Sequence, residues 1–254
     1  MTRSGRGEGD LGMSPVYRFV RSIARVAVLR WFRIRVEGLE NLPTSGPCLL
    51  LPNHQSALDP ILVQGICPRP ISTMTKSTQF ASPVFRWILT SCDAFPTRRY
   101  RVDPQAIRVL LRNLEEGRVV CIYPEGERCW DGRLQPLRRG AIRVALRAGV
   151  PVIPVGIEGM YDTWPRWRSF PRLGRTVHLR FGAPLDLGVH RSRKEREPQL
   201  ASAAERIREE LLRLSGEGYE AGRQEPDAPK SEAERTAAGS SRPSVASNNP
   251  GAIE

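Results

Sequence analysis

The sequence predicts an α/β fold in which a mixed, mostly parallel sheet is flanked by helices and preceded by an N-terminal basic amphipathic helix. Two patterns carry that expectation. Short apolar runs of strand length alternate with stretches of helical periodicity, and prolines stand at the points where helices would begin. The runs are "PCLLL", "ISTMT", "VVCIYP", "PVIPVGIE" and "TVHLRFG". Between them, helices are expected at 60–66, 83–89, 104–116 and 141–148, and a last one in "REPQLASAAERIREELLRL", with Leu200, Ala204, Ile207 and Leu211 on one face.

The chain holds 254 residues, 40% of them apolar, which suffices for a substantial core. Its net charge of +12 points to anionic partners: nucleic acid, an acidic membrane surface or phosphorylated substrates. Residues 216–254 are poor in large aliphatics, rich in Gly, Pro, Ser and Glu, and net acidic, so the positive charge belongs to the preceding part. Such a tail is expected to be disordered. Three segments follow: an arm and amphipathic helix over 1–37, a central α/β domain over 38–215, and the tail over 216–254. Five cysteines without C-x-x-C spacing read as reduced thiols, most of them in the core. No cluster has metal-ligand spacing, and the first fifteen residues lack the apolar stretch of a secretory signal.

In "SPVYRFVRSIARVAVLRW", Val16, Val20, Ile23, Ala27 and Trp31 fall on one helical face, while Arg18, Arg21 and Arg25 cluster opposite. No uncharged run reaches the roughly 18 residues of a bilayer span. Two readings compete: a helix lying in an anionic lipid interface, or one packed on its own core with arginines in solvent. The segment "SPVFRWILTSC" by itself reads as core, although together with the first helix it is suited to wall an apolar channel.

One of only three histidines occurs in "LLLPNHQSALDP", between prolines and five residues ahead of an aspartate. Pro60 suits the first position of a helix and Asp59 the N-cap before it. Residues 52–58 then form a loop leaving the carboxyl end of a strand, where α/β folds place ligands. This loop can turn His54 towards Asp59. A carboxylate on one imidazole nitrogen fixes the tautomer and leaves the other free to take a hydroxyl proton. Ser56 lacks the G-x-S-x-G surroundings of a nucleophilic serine, so direct attack by a substrate hydroxyl is the simpler chemistry. Oxyanion donors are expected among the backbone N–H groups of this loop or at the helix N-terminus after it.

"NHQSALD", followed by "PEGER" and "DGRLQPLRRGAIRVALRAGVPVIPV" and preceded by a basic amphipathic helix, resembles the glycerolphosphate acyltransferase family, in particular its 1-acylglycerol-3-phosphate acyltransferases. The resemblance covers roughly residues 39–187. It implies acyl transfer from a thioester, on coenzyme A or acyl carrier protein, to the hydroxyl of a lysophospholipid, with no metal or other cofactor and no nucleic-acid partner. His54 becomes the general base and Asp59 its partner. Arg98 in "FPTRR", together with Glu125, Gly126 and Arg128, corresponds to blocks associated with the acceptor's phosphate. Lys76 in "TMTK" resembles a basic residue at the end of the family's second strand. Pro151 matches the fourth block, near the acyl and acceptor site. The implied location is the cytoplasmic face of the cell membrane, as a peripheral or monotopic protein. Where the family's third block usually reads Glu-Gly-Thr-Arg, this chain carries Glu127 in place of the threonine, which leaves another lysolipid or an amine-bearing lipid open as acceptor.

Overall fold

In the computed structural model, residues 15–98, 103–190 and 192–216 are described. The tail expected from residue 216 onwards falls, after Gly216, outside them. The elements run α1 (Pro15–Trp31), β1 (Arg33–Glu37), β2 (Cys48–Pro52), α2 (Asp59–Ile66), β3 (Ile71–Lys76), α3 (Pro83–Ser91), β4 (Ala94–Thr97), α4 (Pro104–Glu115), β5 (Val119–Cys121), α5 (Arg139–Ala148), β6 (Val152–Glu158), α6 (Met160–Thr163), β7 (Thr176–Phe181) and α7 (Arg193–Leu214). Seven strands form one sheet in the order β1-β7-β6-β2-β5-β3-β4. All neighbours are parallel except β6 and β7, which pair antiparallel. The predicted fold class is the one observed.

The central strands are apolar on both faces because helices cover both. Along β2, alternate side chains take opposite sides. Leu50 joins Leu62, Val63, Ile71 and Ile153 in one core, while Leu49 and Leu51 join Leu110, Leu146, Ile207 and Leu211 in the other. Four of the five cysteines are buried and all five are free thiols. Asp103 accepts from the Ala106 N–H to cap α4 ahead of Pro104, and Ser192 with Glu195 forms a capping box on α7.

The orientation of helix α1 separates the two readings of its apolar stripe. Tyr17 is its buried residue, and its hydroxyl accepts the Ile71 N–H that opens β3. Arg21 donates to the carbonyls of Gln64 and Cys67 at the end of α2, Nε reaching Gln64 at 3.1 Å. That is the end of a helix where a cation is favoured. A Cβ at Gly65 would stand 3.4 Å from the Arg25 backbone, so the two helices approach closely there. An arginine therefore faces inward. Outward lie Val16, Phe19, Ile23, Val26, Leu29 and Trp31, all exposed, with Phe19 at 66%. Packing of the apolar stripe on the core is thus the reading that the structure does not support, with Arg21 turned inward while Arg18 and Arg25 stay exposed. Helix α3 likewise has no buried residue, and Val84, Phe85 and Trp87 are exposed, so the core reading of "SPVFRWILTSC" does not hold.

Candidate active site

The loop after β2 is polar yet buried. Asn53, His54, Gln55, Ser56 and Asp59 are all inaccessible or nearly so, and each of the five has a partner that fixes it. The Asn53 amide donates to the Ile157 carbonyl at 2.9 Å and accepts the Ile157 N–H at 2.7 Å, continuing the sheet past the end of β2. Gln55 Oε1 accepts the N–H groups of Met160 and Tyr161 at the start of α6, both at 3.0 Å. Ser56 Oγ donates to the Trp164 carbonyl at 3.0 Å. A buried polar side chain must find such partners or cost about 1–3 kcal/mol, so the loop has one rigid shape.

Within it, His54 Nδ1 lies 2.8 Å from Asp59 Oδ2. A carboxylate there only accepts, so Nδ1 carries the proton and Nε2 the lone pair. Among the described residues Nε2 has no hydrogen-bond partner. The imidazole stacks on Tyr123, centroids 4.1 Å apart, which fixes its plane.

Asp59 does not serve as the N-cap expected of it. The helix includes it, Leu58 occupies the cap position without a side-chain bond, and the carboxylate turns backwards. Its Oδ2 accepts the N–H groups of Gln55 and Ser56, each at 2.7 Å, as well as His54 Nδ1. Capping its own helix would point the side chain away from the histidine. Because the Gln55 and Ser56 N–H groups are taken by Asp59 and the His54 N–H by Glu125, they are not oxyanion donors. The Asn53, Leu58 and Asp59 N–H groups are also engaged, which leaves Ala57 as the loop's remaining N–H.

Glu125 reaches this loop from the turn that follows β5, the strand beside β2. Its Oε1 accepts the His54 N–H at 2.6 Å, its Oε2 the Gln135 N–H at 2.8 Å, and the His54 carbonyl accepts the Cys129 N–H at 2.8 Å. The residue is 1% exposed. Burial pushes its carboxyl up to about 8, against the pull of the two backbone N–H groups. The acidic member of the "PEGER" block thus braces the histidine from a buried position, with both oxygens turned to the protein's own backbone. Gly126 turns the chain at φ +74°, and a Cβ there would meet Arg138 Cγ at 3.1 Å. Arg138 donates from Nε to the Glu125 carbonyl at 3.2 Å.

Glu127 is held between two guanidiniums. Arg138 Nη2 lies 3.1 Å and Arg166 Nη1 3.6 Å from its carboxylate. Arg166 also donates to the Arg128 carbonyl and sits 3.3 Å above the Trp130 ring. Arg128 itself is half-buried on the same turn.

Register places the remaining residues. In the parallel strands β2, β5, β3 and β4, the carboxyl ends lie along one edge, bringing His54, the 125–128 turn, Lys76 and Arg98 to that edge. Lys76 pairs in register with Thr97, next to Arg98. Arg98 is exposed and its Nε is 3.4 Å from Asp103, which its own backbone N–H also reaches at 2.9 Å. Pro151 does not join them. It precedes β6, with its carbonyl accepting the Leu49 N–H at the amino end of β2, on the opposite edge and exposed. Sequence reasoning missed Asn53, Gln55 and Ser56 as the loop's framework. Their signal was available, since three amide and hydroxyl side chains within four residues near a strand end need partners. Among the described residues, no group of His, Cys, Asp or Glu is placed to hold a metal.

A buried His–Asp pair with one free ring nitrogen, at the carboxyl edge of a mostly parallel sheet, defines an α/β protein equipped for general-base chemistry. The comparisons carry this further. Residues 33–158 match the family model described as Acyltransferase. A chloroplastic 1-acyl-sn-glycerol-3-phosphate acyltransferase of Brassica napus is 32% identical over 56% of this chain and 42% of its own. The Pseudomonas aeruginosa protein of the same name is 33% identical over 61% of this chain and 63% of its own. The corresponding Bacillus subtilis protein is 30% identical over 57% of this chain and 72% of its own. The chain thus spans less than two thirds of the first two. The crystal structure of the 1-acyl-sn-glycerophosphate acyltransferase of Thermotoga maritima superposes with a TM-score of 0.62 at 23% identity, covering 79% of this chain and 80% of that one, and so shares the fold. This chain belongs to the acyltransferase family.

Proposed function

We propose that the protein transfers a fatty acyl group from an acyl thioester, on coenzyme A or acyl carrier protein, to the hydroxyl of a lysophospholipid, with 1-acylglycerol-3-phosphate the acceptor. The observation that carries the reading is the His54–Asp59 contact with Nε2 left free. Nε2 takes the proton of the acceptor hydroxyl as its oxygen bonds to the thioester carbon. The tetrahedral intermediate then expels the thiolate, which receives that proton from the imidazolium, giving ester and free thiol. Asp59 stabilises the imidazolium in between. A thioester is already an activated carbonyl, so positioning, one base and oxyanion stabilisation suffice. The names of the three relatives support the acceptor, and Arg128, Arg98 and Lys76 at the same edge are the groups proposed to hold its phosphate.

The outward apolar face of α1, flanked by exposed Arg18, Arg25 and Arg30, supports a seat on an anionic bilayer. Among the described residues no helix is long and apolar enough to cross a membrane. The cytoplasmic face as its location is part of this proposal. The test is thiol release: purified protein given an acyl thioester should release thiol when 1-acylglycerol-3-phosphate is added and not when it is omitted. Thiol release independent of any lysolipid would reject the reading.

A further inference from the structure

Between α6 and β7 the chain reads "WPRWRSFPRLGR", residues 164–175, with four arginines and no acid. Trp164 packs against the core, and the other large apolar side chains point outward: Trp167 is 63% exposed, Phe170 78% and Leu173 61%. The backbone is nevertheless pinned. Arg168 donates its N–H to the Pro165 carbonyl at 3.1 Å, and its own carbonyl accepts Trp164 Nε1 at 2.7 Å. The Arg172 N–H reaches the Thr163 carbonyl at 2.9 Å. Trp167 meets Tyr161 edge to face, centroids 5.4 Å apart. A segment held this firmly has its aromatics outside as a settled arrangement, at the cost of hydrating them.

Two anchors show where it sits. The Gly174 N–H donates to the carbonyl of Trp31, the last residue of α1, at 2.7 Å, so the segment adjoins the end of the helix whose apolar face is also outward. At its other end the Trp164 carbonyl receives Ser56 Oγ of the histidine loop, and Arg166 reaches the Arg128 carbonyl. We propose that residues 164–175 form a second membrane-contact element, which enters the interface of an anionic bilayer beside α1 through Trp167, Phe170 and Leu173. The proposal rests on the membrane reading of α1. Aromatic rings mixed with arginines suit the headgroup level, where the ring meets acyl chain and the guanidinium meets phosphate. The rigid link from Trp164 to Ser56 then sets the height of the active site above the lipid.

The test uses the full chain and vesicles of phosphatidylcholine with or without phosphatidylglycerol. The triple variant Trp167→Ser/Phe170→Ser/Leu173→Ser should sediment with anionic vesicles about tenfold or more less tightly than wild type, with an unchanged melting temperature. Phe170→Ser alone, at the most exposed position, should show a smaller loss in the same direction. Arg168→Gln/Arg172→Gln should weaken binding to the anionic vesicles and flatten its salt dependence. A companion variant, Phe19→Ser/Ile23→Ser/Val26→Ser, separates the two readings. If it binds as wild type while the loop variants lose affinity, the α1 reading falls and the loop stands. Loop variants that fold and bind as wild type overturn the proposal whatever α1 does. So does an effect confined to the KM of the thioester or acceptor, which would mark the segment as a substrate wall.

Discussion

Glu125 grips the backbone of His54 across 71 residues of sequence, its Oε1 accepting the histidine's N–H at 2.6 Å while Cys129 holds the histidine's carbonyl. The imidazole is thereby fixed from two directions, by Asp59 through the ring and by the 125–129 turn through the main chain. Glu125→Gln retains one acceptor oxygen and sets an NH2 against a backbone N–H. It is expected to lower kcat at least tenfold through misplacement of the base, a barrier change of about 1.4 kcal/mol, with the acceptor KM little changed. Steady-state kinetics with the acceptor varied checks this. A rise in KM with kcat intact would instead make Glu125 a binding group.

Protonation of the same carboxyl gives a pH dependence. Its folded-state value, about 8, lies above the ordinary glutamate range, so the folded protein retains a proton that the unfolded chain has lost. Stability from this group is complete at low pH and falls as pH rises from roughly 4.5 to about 8, with a limiting slope of about 1.4 kcal/mol per pH unit. Glu125→Gln removes that slope. Urea unfolding of both proteins at pH 6 and pH 8.5 should show the wild type losing more stability across the interval.

His54→Ala should abolish thiol release while leaving the fold intact, since the ring's tie is to Asp59 and its main-chain bonds survive. Asp59→Asn should fall less far: an amide oxygen in the place of Oδ2 still accepts the Gln55 and Ser56 N–H groups and Nδ1–H, but it carries no charge to stabilise the imidazolium. Circular dichroism beside the activity assay separates chemistry from folding. Wild-type turnover in well-folded His54→Ala would end the general-base assignment.

The sheet and most of its helices were legible because parallel strands buried on both faces leave unmistakable apolar runs. Two strands were not. In β1, "RIRVE" lies on a sheet edge and only Ile34 is half-buried, while in β4, "AFPT" has four residues including a proline. At the site, the His54–Asp59 pairing was legible from the loop between the prolines, whereas how its neighbours are held was not. Spacing alone cannot tell a carboxylate that caps forward from one that turns back, which decides Asp59. Nor does it distinguish a strand's two ends, and this sets Pro151 on the wrong edge for the site. Glu125 was named for a phosphate because nothing in a linear sequence records that both its oxygens are already occupied. On α1 the apolar stripe was visible, but its direction depended on Arg21 finding the carbonyls of α2.

That direction makes membrane binding testable. Each exposed arginine near an anionic surface contributes about 1 kcal/mol, and insertion of Phe19, Ile23 and Val26 adds an apolar contribution. Binding to vesicles containing phosphatidylglycerol should weaken as salt rises, and more steeply than binding to phosphatidylcholine alone. Equal binding to both, at all salt concentrations, would leave the basic flank without a role.

The last prediction concerns the acceptor. Arg128→Ala should raise the acceptor KM about tenfold to a hundredfold, the range for losing a charge-assisted bond of roughly 1.5–3 kcal/mol, and should leave the thioester KM nearly unchanged. Arg98→Ala should act in the same direction, since Asp103 engages its side chain only at 3.4 Å on an exposed surface, where such pairs are weak. Glu127 neither enters the site alone nor faces open solvent; it neutralises Arg138 and Arg166 beside Arg128. Glu127→Thr removes that neutralisation, so the positive potential around the turn rises and the KM for a phosphate monoester acceptor should fall relative to a phosphate-free lysolipid. Measuring both acceptors with wild type, Arg128→Ala, Arg98→Ala and Glu127→Thr decides the matter. An Arg128→Ala defect of equal size on the two acceptors would show that this arginine supports the fold, and would remove it from the phosphate site.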